Sequence, residues 1–267
     1  MTNSLFTSGA LQGRVAVITG GTRGIGRGIA DAFLAAGATV MISGKSADKG
    51  KQALAEMGVG DRAGFVTCDV RESAEIDNLI EQTVQQFGRV DILVNNAGGS
   101  DGFAPIHQMS DEAWENALAW NLTAVFRATR RAIPLMLENG WGRVINISSV
   151  EGKQANKAMI SHYITNKHAI NGFTKATSFE YATQGVTSNA ICPGAIETDI
   201  MRLAGAQVAE QAGITYQQFL DGYAADAAIK RLNTVDEVAA MATLLASDLG
   251  GGITGALLNV DGGTSQY

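Results

Sequence analysis

The sequence predicts a doubly wound α/β fold, a single domain built on a seven-stranded parallel sheet flanked by helices. Three observations predict it. Short apolar runs rich in β-branched residues alternate with longer segments of helical period, the pattern of strands buried on both faces and joined by right-handed crossovers. The first run leads straight into a glycine-rich loop. Across 267 residues glycine is frequent, at 32, and proline rare, at 3, which suits many tight strand-to-helix turns.

Taken in order, the runs are 14–19 (RVAVIT), 39–43 (TVMIS), 63–67 (AGFVT), 90–94 (VDILV), 143–148 (RVINIS), 186–191 (VTSNAI) and 256–260 (ALLNV). Helices are expected near 24–36, 47–57, 73–87, 111–138, 161–183 and 235–247. No linker or internal repeat divides the chain, so one domain spans 1–267. After Ile191 the rhythm breaks for about 40 residues of mixed helix and loop. Ligands of open α/β sheets bind beyond the carboxyl ends of the strands, so this excursion, about 195–230, is expected to be a substrate lid.

Composition excludes several functions. A formal charge of −6 and a pI near 5.1 argue against a general nucleic-acid or anionic membrane surface. Cys68 and Cys192 lie far apart beside strand-like runs and read as small buried residues. His107, His162 and His168 have no zinc-ligand spacing, so no metal is expected. Met1–Gln12 lacks the pattern of a signal peptide, and no apolar run reaches the length of a membrane span. A cytoplasmic location is the expectation.

In the loop Thr19-Gly20-Gly21-Thr22-Arg23-Gly24-Ile25-Gly26, glycines let backbone N–H groups approach a pyrophosphate at a helix N-terminus. The end of the second strand reads Ser43-Gly44-Lys45-Ser46, with no acid before Asp48. A carboxylate there would hold a ribose 2′-hydroxyl, whereas a basic residue accommodates a 2′-phosphate. Lys45 and Arg23 therefore predict NADP(H) in preference to NAD(H). Farther on, Tyr163 and Lys167 stand at i and i+4 on one helix face. An ammonium beside a phenol favours the phenolate and lowers its pKa, which suits a general acid/base.

These motifs, with others in the same order, carry a resemblance. Asp69 follows the third strand, Asn95-Asn96-Ala97-Gly98 the fourth, and Ile147-Ser148-Ser149 the fifth. Asn121 lies in the long helix, and Pro193-Gly194-x-x-x-Thr198 follows the sixth strand. From about Gln12 to Gly263 the chain resembles the short-chain dehydrogenase/reductases, whose fold is Rossmann-type. The resemblance implies that Asp69, with Val70 beside it, meets the adenine. It implies that Asn96, Ala97 and Gly98 support the adenine ribose, and that Pro193, Gly194, Ile196 and Thr198 surround the nicotinamide. Ser149 would polarise the substrate carbonyl and Tyr163 would exchange its proton. Lys167 would bind the nicotinamide ribose and lower the tyrosine pKa, and Asn121 would hold a water linking Lys167 to solvent. A homotetramer built on helices 111–138 and 161–183 and the last strand is also implied.

The chain departs from the pattern between Ser149 and Tyr163, which are 14 apart, one more than in many members. Glu151, Gln154 and His162 are candidate substrate contacts in that loop, Glu151 equally readable as a rim carboxylate facing solvent. The resemblance implies a small carbonyl or alcohol compound as substrate. The motifs are similar to those of 3-oxoacyl-thioester reductases, polyketide ketoreductases and hydroxybutyrate dehydrogenases. For a small hydroxy acid Lys157 is the available cation. For a carrier-borne substrate Arg127, Arg130 and Arg131 form a basic patch that equally suits a subunit interface. An NAD(H)-dependent dehydrogenase of a hydroxy acid, sugar or other alcohol is the alternative, and a non-catalytic nucleotide-binding redox sensor the remote one.

Overall fold

Alternation along each strand sends side chains to two cores. In β1 (Val15–Ile18), Ala16 and Ile18 enter one apolar cluster and Val17 the other. The same division separates Val40 and Ile42 from Met41 in β2 (Thr39–Gly44) and Ile92 and Val94 from Leu93 in β4 (Ile92–Asn95). Successive strand residues point to opposite faces, so a run apolar at every position must be covered twice. On one face Ile29 and Phe33 of α1 (Gly24–Ala35) and Val238 and Leu245 of α9 (Val235–Ala246) cover it. On the other lie Ile76, Leu79 and Ile80 of α3 (Ser73–Phe87) and Ala132, Ile133 and Met136 of α5 (Ala124–Glu138).

This computed structural model describes residues 9–265, apart from the side chains at 200 and 204. The stretch read for a signal peptide lies outside the described residues as far as position 8. No described helix is long and apolar enough to cross a membrane.

The remaining strands are β3 (Ala63–Thr67), β5 (Gly142–Ile147), β6 (Val186–Pro193) and β7 (Leu257–Val260). All seven pair in parallel, in the order β3-β2-β1-β4-β5-β6-β7. The chain reverses direction across the sheet between β1 and β4, where Ile18 is in register with Val94. Buried Asp91 secures this seam: it accepts the Val15 N–H at 2.9 Å and pairs with Arg89 at 2.6 Å. Loops at the carboxyl ends of β1 and β4 must diverge there, which opens a crevice.

The expected helix 111–138 is interrupted. It comprises α4 (Asp111–Leu118), a π-turn at Ala119–Thr123 and α5, with the Ala124 N–H bonded to Ala119 O. The extra residue widens the turn at Asn121. α2 (Ala47–Met57) and α6 (Ser161–Tyr181) fall where expected, and the excursion after β6 contains α7 (Asp199–Gln211) and α8 (Tyr216–Asp226). Its helix starts are marked by Thr198, capping α7, and by the Thr215–Gln218 capping box of α8.

Candidate active site

The crevice is a cleft of about 500 Å³ along the strand ends. Thr22–Ile25 form its floor after β1. The Gly20 and Gly24 backbones have φ of +66° and +56°, open to glycine at little cost. A Cβ on Gly26 would collide with Asn96 Nδ2 and Gly20 O. Asn96 fixes that close approach, donating to Thr19 O at 2.9 Å and to Gly20 O at 3.1 Å. Thr19 Oγ1 in turn accepts the Asn96 and Ala97 N–H groups at 3.0 Å each. α1 begins with no side-chain cap and no acid in its first turn. Its free N–H groups and glycine walls fit a dinucleotide pyrophosphate.

At one end of the cleft stand Lys45, Ser46 and Lys49 from the β2–α2 connection, with exposed Arg23 across from them. Asp69 and Val70 follow β3 on the same wall. Lys45 reaches Asp69 at 3.8 Å, but Arg71 grips that carboxylate with Nη2 at 2.6 Å and Nε at 3.0 Å. Arg71 above all, then the Lys45 charge, holds the Asp69 carboxyl below the usual range against the opposing effect of burial. Ser46 and Lys49 were not singled out in the sequence, although Lys49 lies one turn beyond Lys45.

At the other end, Ser149, Tyr163 and Lys167 meet Gly98, Pro193, Gly194 and Thr198. Ser149 and Tyr163 share a side-chain hydrogen bond, and Ser149 Oγ also accepts the Glu151 N–H at 3.1 Å. Lys167 is buried; its Nζ donates to Ile147 O at 2.8 Å and stands 5.4 Å from the Tyr163 ring centre. Burial pushes the ammonium down to about 8. The expected depression of the tyrosine pKa is not found. Burial raises it, the hydrogen bond from Ser149 opposes that rise, and the Glu151 charge adds to it. The lysine shares the tyrosine's helix face, but its amine is turned to the β5 carbonyl, so the phenol here is a protonated acid at neutral pH.

Asn121 stands behind the cleft wall. Its Nδ2 donates to Gly99 O and Ala117 O, both at 2.9 Å, and its Oδ1 accepts the Gly99 N–H at 3.2 Å. One amide proton thus braces the strand-end loop at Gly99, and the other bonds back to α4 at Ala117. A Cβ on Gly98 would lie 2.7 Å from Asn121 Oδ1 and 3.7 Å from Lys167 Nζ, so brace, loop and amine are packed at one corner. Ile196 also lies behind the wall, where Asn233 N–H bonds to neighbouring Ala195 O at 3.0 Å.

Glu151, Gln154 and His162 do not line this cleft. Glu151 is only 6% exposed, which overturns the solvent-facing reading; its Oε2 has no partner and burial raises its pKa. Gln154 Nε2 and His162 Nδ1 are likewise buried without partners. His162 Nε2 lies 2.7 Å from Asp101 O and ties the β4 loop to the start of α6. The three arginines of α5 are distant from the cleft's reacting end: Arg127 bonds to Arg71 O, Arg131 pairs with Asp77 and Glu81, and Arg130 lies over Phe126. Cys68 and Cys192 are free and buried, Cys68 pushed up to about 12 by burial. Among the described residues no cluster of His, Cys, Asp and Glu is placed to hold a metal ion.

The family model for short chain dehydrogenases matches residues 14–209. A D-beta-hydroxybutyrate dehydrogenase of Cupriavidus necator is 40% identical over 95% of this chain and 98% of its own. A 3beta-hydroxysteroid dehydrogenase of Eggerthella lenta is 38% identical over 96% of each. Among solved structures, an actinorhodin polyketide ketoreductase variant with NADPH superposes with a TM-score of 0.90 at 36% identity, over 95% of this chain and 98% of that one.

Proposed function

The chain belongs to the short-chain dehydrogenase/reductase family and is an oxidoreductase of that type, and from that premise we propose an NADP(H)-dependent enzyme interconverting a ketone and a secondary alcohol, with 3-oxoacyl thioesters or related carbonyl compounds as substrates. What carries the reading is the meeting of Ser149, Tyr163 and Lys167 at the end of a dinucleotide-shaped cleft. The bound dinucleotide supplies or accepts the hydride. Ser149 and Tyr163 direct their hydroxyls at the carbonyl oxygen, where negative charge develops. Tyr163, protonated at neutral pH, gives its proton to that oxygen in reduction and regains it in oxidation. Lys167, buried beside the phenol ring with its amine on Ile147 O, would bind the ribose of the nicotinamide. Asn121 braces the Gly98–Gly99 corner against which the lysine rests. The helices α7 and α8 cover the substrate end as a lid.

Support for NADP(H) comes from Lys45, Lys49 and Arg23 at the cleft end, where β2 closes without a carboxylate. With a 3-oxobutanoyl N-acetylcysteamine thioester as substrate, kcat/KM is expected to be at least tenfold higher with NADPH than with NADH. Lys45→Ala should lower the NADPH value about tenfold and leave the NADH value within about twofold, the expected size for one charge-assisted contact at an exposed site. Absorbance of the reduced nicotinamide reads both, and a preference of the unaltered protein for NADH would sink the assignment. The hydroxybutyrate relative supports a second reading, a small hydroxy acid as substrate, and the silent redox sensor predicts tight NADPH binding with no turnover.

A further inference from the structure

Beside the reacting groups, two loops run together and leave large apolar side chains in solvent. Ala104 N–H donates to Met159 O at 3.2 Å, and His162, next to the acid Tyr163, holds Asp101 O. Phe103 is 56% exposed, Ile106 74% and Met159 49%. Met159 has φ of +68°, a left-handed backbone that disfavours a residue with Cβ. Such a conformation persists only where the surroundings impose it, and it marks functional segments more than ordinary ones.

The charges of the neighbouring turn are all engaged elsewhere. Lys153 Nζ bonds to Asn259 Oδ1 at 2.7 Å and to Leu257 O at 3.4 Å. Lys157 Nζ pairs with Asp226 at 2.9 Å and lies over the Tyr223 ring. The remaining charged group of the turn, Glu151, is a buried acid. A substrate carboxylate would find no free cation on this turn.

Resting on the reading of the site as a carbonyl reductase, we infer that Phe103, Ile106 and Met159 form the substrate-binding ledge, and that it takes the uncharged, apolar body of a ketone in preference to a small hydroxy acid anion. Exposed apolar side chains on loops tied to one another and to the residue before Tyr163 are the expected form of such a subsite.

The test compares ethyl 3-oxobutanoate, 3-oxohexanoate and 3-oxooctanoate with acetoacetate. Expected is a rise in kcat/KM of about two- to fourfold for each added methylene, as partial to full burial implies. Acetoacetate should fall at least tenfold below its ethyl ester. Phe103→Ser and Met159→Ser should each reduce the chain-length dependence through KM. The same ligands are titrated by calorimetry into Tyr163→Phe protein saturated with NADP, which reads affinity without turnover. A flat length dependence, acetoacetate bound as well as its ester, or an unchanged dependence in both serine variants overturns the inference. So does a shift of those variants to smaller assemblies in sedimentation with the dependence intact, since the ledge would then be a contact between copies. Esters that bind with rising affinity yet are never reduced would leave the ledge standing and remove the proposed reaction.

Discussion

Tyr163→Phe is expected to lower kcat by about 10²–10⁴-fold while leaving the dissociation constant for NADPH within about threefold. The magnitude is that of a positioned general acid removed without replacement. Phenylalanine preserves the ring, so the packing near Lys167 persists and only the proton-bearing oxygen is lost. Ser149 loses one hydrogen-bond partner and keeps its bond from the Glu151 N–H. Single-turnover kinetics with bound NADPH read the chemical step, and fluorescence of the reduced nicotinamide reads the affinity. Residual turnover within tenfold of the unaltered protein would remove Tyr163 from the role of proton donor.

Lys167→Met is expected to lower kcat by about 10²-fold or more and, at neutral pH, to make the protein more stable by an amount on the order of 1 kcal/mol. The gain in stability comes from burial. The folded lysine is pushed down to about 8 by burial, from 10.5 in the unfolded chain. Folding therefore disfavours the ammonium, and each unit of such a shift represents ~1.4 kcal/mol. Methionine removes that cost but leaves Ile147 O without its 2.8 Å donor, which offsets part of the gain. The sign with pH follows. Below about pH 8 the lysine is protonated in both states and its full cost is present. Between 8 and 10.5 the unfolded chain binds more protons, so the unaltered protein gains stability as pH rises. The advantage of the methionine variant should accordingly be largest below pH 8 and fade toward pH 10.5 in urea titrations. A variant less stable at pH 7 would refute the burial argument.

The parts legible in the sequence were those where one residue pattern has one structural solution. A strand buried on both faces must be apolar throughout, and all seven runs became strands of the sheet. Gly26 announces a close backbone approach that no other residue permits, and Gly20 and Gly24 take left-handed backbone that favours glycine. What stayed hidden depends on groups distant in the chain. Helical spacing brings Tyr163 and Lys167 to one face, but a lysine has four rotatable bonds, and the carbonyl of Ile147 decides where its amine rests. The Arg71 grip on Asp69 is local, yet two residues apart in an irregular turn has no periodic signature. Glu151 reads as a polar loop residue until the turn folds over it. Arg127 and Arg131 read as a free patch because their partners, on and just before α3, are some 50 residues away.

The π-turn at Ala119–Thr123 gives this helix a setting of phase. Each residue of an α-helix advances the chain by about 100°. One additional residue within a turn therefore rotates everything downstream relative to what precedes it. α4 and α5 therefore present faces in an alignment that no uninterrupted helix of this sequence would have. Point substitution of Asn121 leaves that alignment in place, whereas deleting one residue between 119 and 123 would remove it. The apolar stripe of α5, with Ala132, Ile133 and Met136, would then be swung about a quarter-turn out of the sheet. Such a deletion should destabilise the protein by several times the ~1–3 kcal/mol cost of the hydrogen bonds that Asn121 makes, as thermal unfolding of the deletion and of Asn121→Ala would show side by side.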